Sequence, residues 1–290
     1  MTPEVHLVSV FAANPRGGNP APIVADAAGM SDQDMQQVAR AHGHESGFVL
    51  PPPPGSDCDY SFRFWVPNHE MEMCGHATVG AVWLLDRLGV LPRDDVRIWT
   101  RSGIVEAHVS DVSGLRQVEI SQPQGRVEPV PDAETSEAEI LSVLGIKANE
   151  TAPLPLQNAC TSRVKTLVPL KSVEALDGLT PDYARMKAIC ERIGSTGLYP
   201  YAWSDLPGQV FDARQFPKSS GYPEDAATGI AAAALAFGLL RNGLVEPTNR
   251  KITVRQGRAM GRPSEITVRF RVAPGAALQG CWLGGGARLQ

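Results

Sequence analysis

Two stretches of this chain are versions of one another. Met73–Leu91, MCGHATVGAVWLLDRLGVL, returns 154 residues later as Ala227–Val245, ATGIAAAALAFGLLRNGLV. At that offset Gly75 pairs with Gly229, Ala77 with Ala231, Leu85 with Leu239, Arg87 with Arg241 and Gly89 with Gly243. The match runs on through Ile98 and Ile252, Arg101 and Arg255, and Gly103 and Gly257, giving eight identities over 29 gap-free positions. Solenoid units repeat every 20 to 50 residues or so, far below this period. Two copies of one domain explain it, each carrying a long apolar helix followed by a strand and a turn.

Each copy opens on small residues that let another backbone or a ligand approach, and closes on a glycine suited to a left-handed helix end, Gly89 or Gly243. Between those ends nearly every position is apolar. A helix apolar all round belongs in a core, so each half is expected to wrap its strands around this helix. The helix N-terminus is then the place for chemistry, because its unpaired N–H groups and positive dipole end favour anions. Two related domains facing each other would aim two such termini, at Gly75 and at Thr228-Gly229, into one cleft.

Length and charge narrow the class. With 290 residues, two domains fit, residues 1–122 and 123–290, the last strand able to return to the first half. Net charge is -4, and no basic run speaks for nucleic acid. The longest apolar stretch, Ile230–Leu240, is too short to span a bilayer. The N-terminal MTPEVHLVSVF lacks a basic leader and reads as a strand, which gives a cytoplasmic expectation. Cys58, Cys74, Cys160, Cys190 and Cys281 are odd in number and hold no C-x-x-C pair, which argues for free thiols and against a zinc site.

Along the chain, Val5–Ala12 and Ala21–Val24 read as strands around an Asn-Pro and Gly-Asn-Pro turn. Ser31 caps a helix that ends at Gly43. Glu45 follows at a helix-to-strand junction, and Tyr60–Val66 alternates as a half-buried strand does. His76 is expected about one turn inside the first core helix. A lone helix histidine is compatible with packing or with a site; Cys74 can be a small buried residue or a thiol activated by the helix terminus. Strands follow at Val96–Thr100, Val105–Val109 and Gln117–Ile120, then a connector at Ser121–Pro131. Helices are expected at Glu134–Leu144 and Pro181–Ile193, strands at Arg163–Val168 and Gly197–Trp203. Glu224 and Asp225 precede the second core helix, where acids commonly complement the dipole. Gly284–Gly286 follows a strand-like CWL with no helix after it, so it is no dinucleotide turn, and no HExxH, Walker or GxSxG pattern is present.

An acid (Glu45), an imidazole (His76), a second carboxylate (Asp225) and two helix N-termini suit proton transfer at a carbon beside a carboxylate or carbonyl. GNPAPIV (Gly18–Val24), ESGFV (Glu45–Val49), MCGHATVG (Met73–Gly80), EDAATG (Glu224–Gly229) and GRPSEI (Gly261–Ile266) resemble the phenazine-biosynthesis PhzF-like isomerases over nearly the whole chain. The resemblance implies the diaminopimelate-epimerase superfold, an α+β architecture of two pseudo-symmetric domains, each a mixed, mainly antiparallel sheet curled around a central apolar helix. It also implies a homodimer that works without cofactor or metal on a small carboxylate-bearing metabolite. Carried over by motif, Glu45 is the catalytic acid/base and His76 and Asp225 bind substrate; Gly75, Thr228 and Gly229 supply the helix termini. The chain departs from the family pattern in having Ile230 where a serine usually follows the second TG, and Glu45 between His44 and Ser46 in place of Ser-Glu-Thr. The alternatives are a two-thiol racemase or epimerase, for which Cys74 has only Thr228 as its repeat partner, and a non-catalytic small-molecule binder.

Overall fold

The computed structural model describes residues 3–219, 221–273, 275 and 277–290. The chain divides into two compact units, Met1–Ser121 with Gly284–Gln290, and Gln122–Leu283.

The first unit runs β1 (His6–Val10), β2 (Asn19–Val24), α1 (Asp32–His42), β3 (Ser46–Leu50), β4 (Tyr60–Trp65), β5 (Glu70–Met71), α2 (Gly75–Arg87), β6 (Asp95–Thr100), β7 (Gly103–Val112) and β8 (Leu115–Pro123). Antiparallel pairs β1–β2, β3–β4, β6–β7 and β7–β8 are joined through parallel pairs β2–β3 and β4–β6. In β6 and β7 buried and open positions alternate, so one face carries Val96, Ile98, Val105, Ala107 and Val109 to the core. That face meets α2, which packs on β1, β2, β3 and β7 and is buried at every position from Gly75 to Leu85 except Trp83. The helix α1 lies outside, closed by a reciprocal Ser31–Asp34 capping box and by Gly43 at φ 67°. Its Met35 and Ala39 pack with Val24, Phe48 and Trp65.

The second unit runs β9 (Arg126–Pro129), α3 (Ala133–Leu144), β10 (Gln157–Cys160), β11 (Lys165–Pro169), α4 (Val173–Asp177), α5 (Tyr183–Arg192), β12 (Gly197–Asp205), β13 (Val210–Ala213), β14 (Phe216–Pro217), α6 (Gly229–Arg241), β15 (Ile252–Gln256), β16 (Ser264–Val272) and β17 (Leu278–Leu289), whose last residues belong to the first unit. The pairing repeats that of the first unit: β10–β11 and β12–β13 antiparallel, β11–β12 and β13–β15 parallel, β15–β16 antiparallel. Here α6 is the core helix, packed on β9, β10, β11 and β16. The helices α2 and α6 have 13 residues each and begin 154 apart. They also end alike. Gly89 and Gly243 both stand at φ 70°, while Val90 N–H reaches back to Leu85 O at 3.1 Å and Leu244 N–H to Leu239 O at 2.9 Å, one Schellman closure written twice.

Two sequence expectations change, and the glycine run near the end of the sequence finds its place. The Ser121–Pro131 connector is mostly strand, since β8 continues to Pro123 and β9 starts at Arg126; Pro123 and Pro129 are the last residues of their strands, where a missing N–H costs least. The Gly284–Gly286 run lies inside β17, which pairs with β1 and β8. A Cβ on Gly284 would stand 2.3 Å from Val118 O, so the close approach of β8 requires glycine there. Finally, Cys74 is the N-cap of α2, which makes His76 its second residue and not a residue one turn in.

Candidate functional site

The chain enters β3 through Glu45 and Ser46. A Cβ on the next residue, Gly47, would lie 2.9 Å from Ile23 Cδ1 and 3.5 Å from the Cβ of Ala77 in α2, so the glycine lets the start of β3 lie close against the start of the core helix. That contact brings Glu45 to the helix N-terminus. Cys74 has extended backbone angles, φ -138° and ψ 110°, and its side chain makes no cap bond. Its thiol instead donates to Glu45 Oε2 at 3.1 Å.

His76 completes a triangle. Its Nδ1 is 3.4 Å from Cys74 Sγ and 3.4 Å from Glu45 Oε2. Cys74 is 4% exposed, the His76 side chain 8% and that of Glu45 26%, so the carboxylate is the member solvent can reach. Both contacts fall on Oε2. His76 Nε2 is buried with no partner among the described residues. An orphaned N–H there would cost about 1–3 kcal/mol, so the imidazole proton is best placed on Nδ1, facing the sulfur and the carboxylate. Below the triangle, the hydroxyl of Thr78 donates to Cys74 O at 2.7 Å and fixes the first turn. That turn carries no acid of its own.

In the second unit Asp225, Thr228 and Gly229 are brought together at the start of α6. Thr228 is the N-cap and its hydroxyl donates to Asp225 Oδ2 at 2.5 Å. Gln256, at the end of β15, holds both: its Nε2 donates to Asp225 O at 2.7 Å and to Thr228 Oγ1 at 3.2 Å, and its Oε1 accepts from Thr228 N–H at 3.3 Å. Tyr199 donates its hydroxyl to the same Oε1 at 3.0 Å. Burial first, and the Asp225 charge second, push the Tyr199 phenol well above its usual range, so it stays a donor. Neither Gln256 nor Tyr199 was expected from the sequence. The repeat aligns Gln256 with Ser102, which offers no hint of an amide clamp.

Glu224 does not serve as a dipole cap. It is buried and forms a two-pronged pair with Arg214, Nε to Oε1 at 2.8 Å and Nη2 to Oε2 at 2.7 Å. Of the two adjacent acids only Asp225 is turned to the helix terminus.

Comparison with known proteins agrees with the resemblance in the motifs. The model of the family described as phenazine biosynthesis-like protein matches residues 8–287. An uncharacterized isomerase, YddE, of Escherichia coli K12 is 34% identical over 280 residues, 93% of this chain and 92% of the relative. The trans-2,3-dihydro-3-hydroxyanthranilate isomerase of Pseudomonas aeruginosa is 32% identical over 266 residues, 91% and 88% of the two chains. A crystal structure of the Bacillus anthracis phenazine biosynthesis protein of the PhzF family superposes with a TM-score of 0.87 over 98% of this chain and 96% of that one, at 24% identity, a likeness of fold.

Proposed function

This chain belongs to the phenazine biosynthesis-like protein family, and from that premise we propose that it is an isomerase in which Glu45 takes a proton from one carbon of a small carboxylate-bearing metabolite and returns it to a carbon. The carbon–hydrogen bond that breaks is replaced by one that forms, so no oxidant, reductant or cofactor enters the balance. The observation that carries the reading is the state of Glu45: one oxygen held by Cys74 and turned toward His76, the side chain a quarter open, at the start of an apolar core helix.

Each residue of the expected site has a role in this reading. His76 steadies the charge that Glu45 carries before and after transfer. The N–H groups that open α2 at Gly75, and those that open α6 at Gly229, are each suited to an anionic oxygen, as helix N-termini are. Asp225 and Thr228, locked by Gln256 and Tyr199, orient a polar group of the substrate. Ile230, half-buried in the first turn of α6, puts a hydrocarbon where the relatives that act on dihydro-hydroxyanthranilate are expected to have a hydroxyl. The substrate is accordingly proposed to be a different carboxylate.

A two-thiol mechanism has less support. It needs two sulfurs, and at the repeat position of Cys74 stands Thr228, whose hydroxyl is engaged by Asp225. The test is a metabolite screen in deuterated water with carbon-bound label as the readout. Label entering a carboxylate metabolite with the parent protein, and not with Glu45→Gln, supports the reading. Ligand binding without any exchange would make the protein a binder.

A further inference from the structure

The triangle of Glu45, Cys74 and His76 brings together one carboxylate oxygen, one sulfur and one imidazole nitrogen, all within 4.8 Å of one another. Zinc prefers this mixture of donors, with bonds of about 2.3 Å to sulfur, 2.0–2.1 Å to nitrogen and 2.0–2.2 Å to oxygen. In a tetrahedron with those bonds, donors stand about 3.3–3.6 Å apart. The separations here are 3.1 Å from sulfur to oxygen, 3.4 Å from sulfur to nitrogen and 3.4 Å from nitrogen to oxygen. Shifts of a few tenths of an ångström would seat the ion.

We propose that this triangle is an inhibitory site for a thiophilic divalent cation such as Zn²⁺, which shuts off the proton transfer by occupying Glu45. The fourth position is left to water or to substrate, because the cluster holds three donors. On binding, the Cys74 S–H bond breaks and a sulfur–metal bond forms, the proton passing to solvent. The imidazole proton moves from Nδ1 to Nε2. That last step limits affinity. A histidine in a tight zinc centre gives its other N–H to a second-shell acceptor, whereas His76 Nε2 is buried with none among the described residues. The metal is therefore a reversible blocker and not a resident part of the enzyme. Cysteine spacing alone could not suggest it, since the site uses one thiol and borrows its other donors across the fold.

The inhibitory half of this proposal rests on Glu45 being the catalytic base, whereas the metal site itself rests on geometry, and the experiment separates them. The metal-free full chain is titrated with Co²⁺, a spectroscopic stand-in for Zn²⁺ that shows a thiolate-to-metal charge-transfer absorption. The expected result is absorption saturating at one equivalent, displaced by Zn²⁺ and absent in Cys74→Ser. In His76→Gln binding should weaken by more than about 100-fold, the upper end of what losing a mere second-shell contact costs. Cys160→Ser, which alters a partly exposed thiol in the other unit, should titrate like the parent. No thiolate band in the parent, or a band surviving in folded Cys74→Ser, overturns the site; should Cys74→Ser not fold, an undiminished band in His76→Gln does so. Deuterium exchange is then followed with and without Zn²⁺. Exchange that falls in step with metal occupancy supports inhibition, and exchange undisturbed at full occupancy overturns it. A metal-free parent that exchanges nothing overturns both inhibition and the isomerase reading, while the cobalt spectrum still decides the site.

Discussion

The thiol of Cys74 donates to the carboxylate of Glu45 at 3.1 Å, although 29 residues separate them. The residue that opens the core helix thereby holds the acid that precedes β3. One contact fixes which carboxylate oxygen is engaged.

Replacing Glu45 by glutamine keeps shape and hydrogen-bonding reach but removes the group proposed to carry the proton. Turnover is expected to fall by roughly 10²- to 10⁴-fold, the contribution typical of general acid/base catalysis, with ligand affinity nearly kept. Deuterium incorporation measures the first and calorimetric titration the second. A variant that turns over like the parent would make Glu45 an ordinary loop acid.

Cys74→Ser tests the thiol mechanism directly. A serine hydroxyl can still donate to Glu45 Oε2 from the N-cap, where serine is a favoured residue. Turnover should stay within about tenfold of the parent on the scale of acid/base contributions. A collapse of turnover with the circular dichroism spectrum intact would mean that sulfur itself moves the proton.

What could be read without coordinates was what repeats or alternates. The 154-residue offset placed both core helices, and the Ser31 box and Gly43 placed the ends of α1, because caps and apolar periodicity are local. Glu45, His76 and Asp225 were legible as residue types beside helix termini. What stayed hidden depends on distant partners: the thiol of Cys74 turned away from capping its own helix, Gln256 bridging from β15, and the close approach of β8 that calls for glycine in β17. Local composition describes a residue's preferences, and these positions are decided by what lies across the sheet.

The buried thiols give a pH dependence. Desolvation pushes Cys190 up to about 11 and Cys281 up to about 12, against about 8.5 in an unfolded chain. Both are neutral in the native state, so their contribution to stability is complete below the unfolded value. It is lost as pH rises through the folded ones, because the unfolded state then releases protons that the native state keeps. Denaturant midpoints should fall between about pH 9 and 12, and less so in Cys190→Ala/Cys281→Ala measured against its own neutral-pH value. At pH 8 a thiol reagent should label the partly exposed Cys160 before either; equal labelling rates would sink the account.

The strongest stability prediction concerns Arg214 and Glu224, whose side chains are 9% and 7% exposed and joined by two hydrogen bonds. The guanidinium also donates to Leu176 O at 3.1 Å and to Leu179 O at 3.3 Å, and its Cζ lies 4.9 Å from the Phe216 ring centre. The pair thus ties the segment leading to α6 to the end of α4. Removing one member of a buried pair leaves the other charged and unmatched, at about 3–5 kcal/mol. Glu224→Ala should lie at the lower end, because the carbonyl oxygens and the ring still receive Arg214. Replacing both partners by apolar residues, Arg214→Met with Glu224→Leu, removes the unmatched charge and should recover much of the loss. Urea unfolding of the three proteins decides it: a Glu224→Ala midpoint equal to the parent's, or a double variant less stable than the single one, would mean that the ion pair is not what holds this corner together.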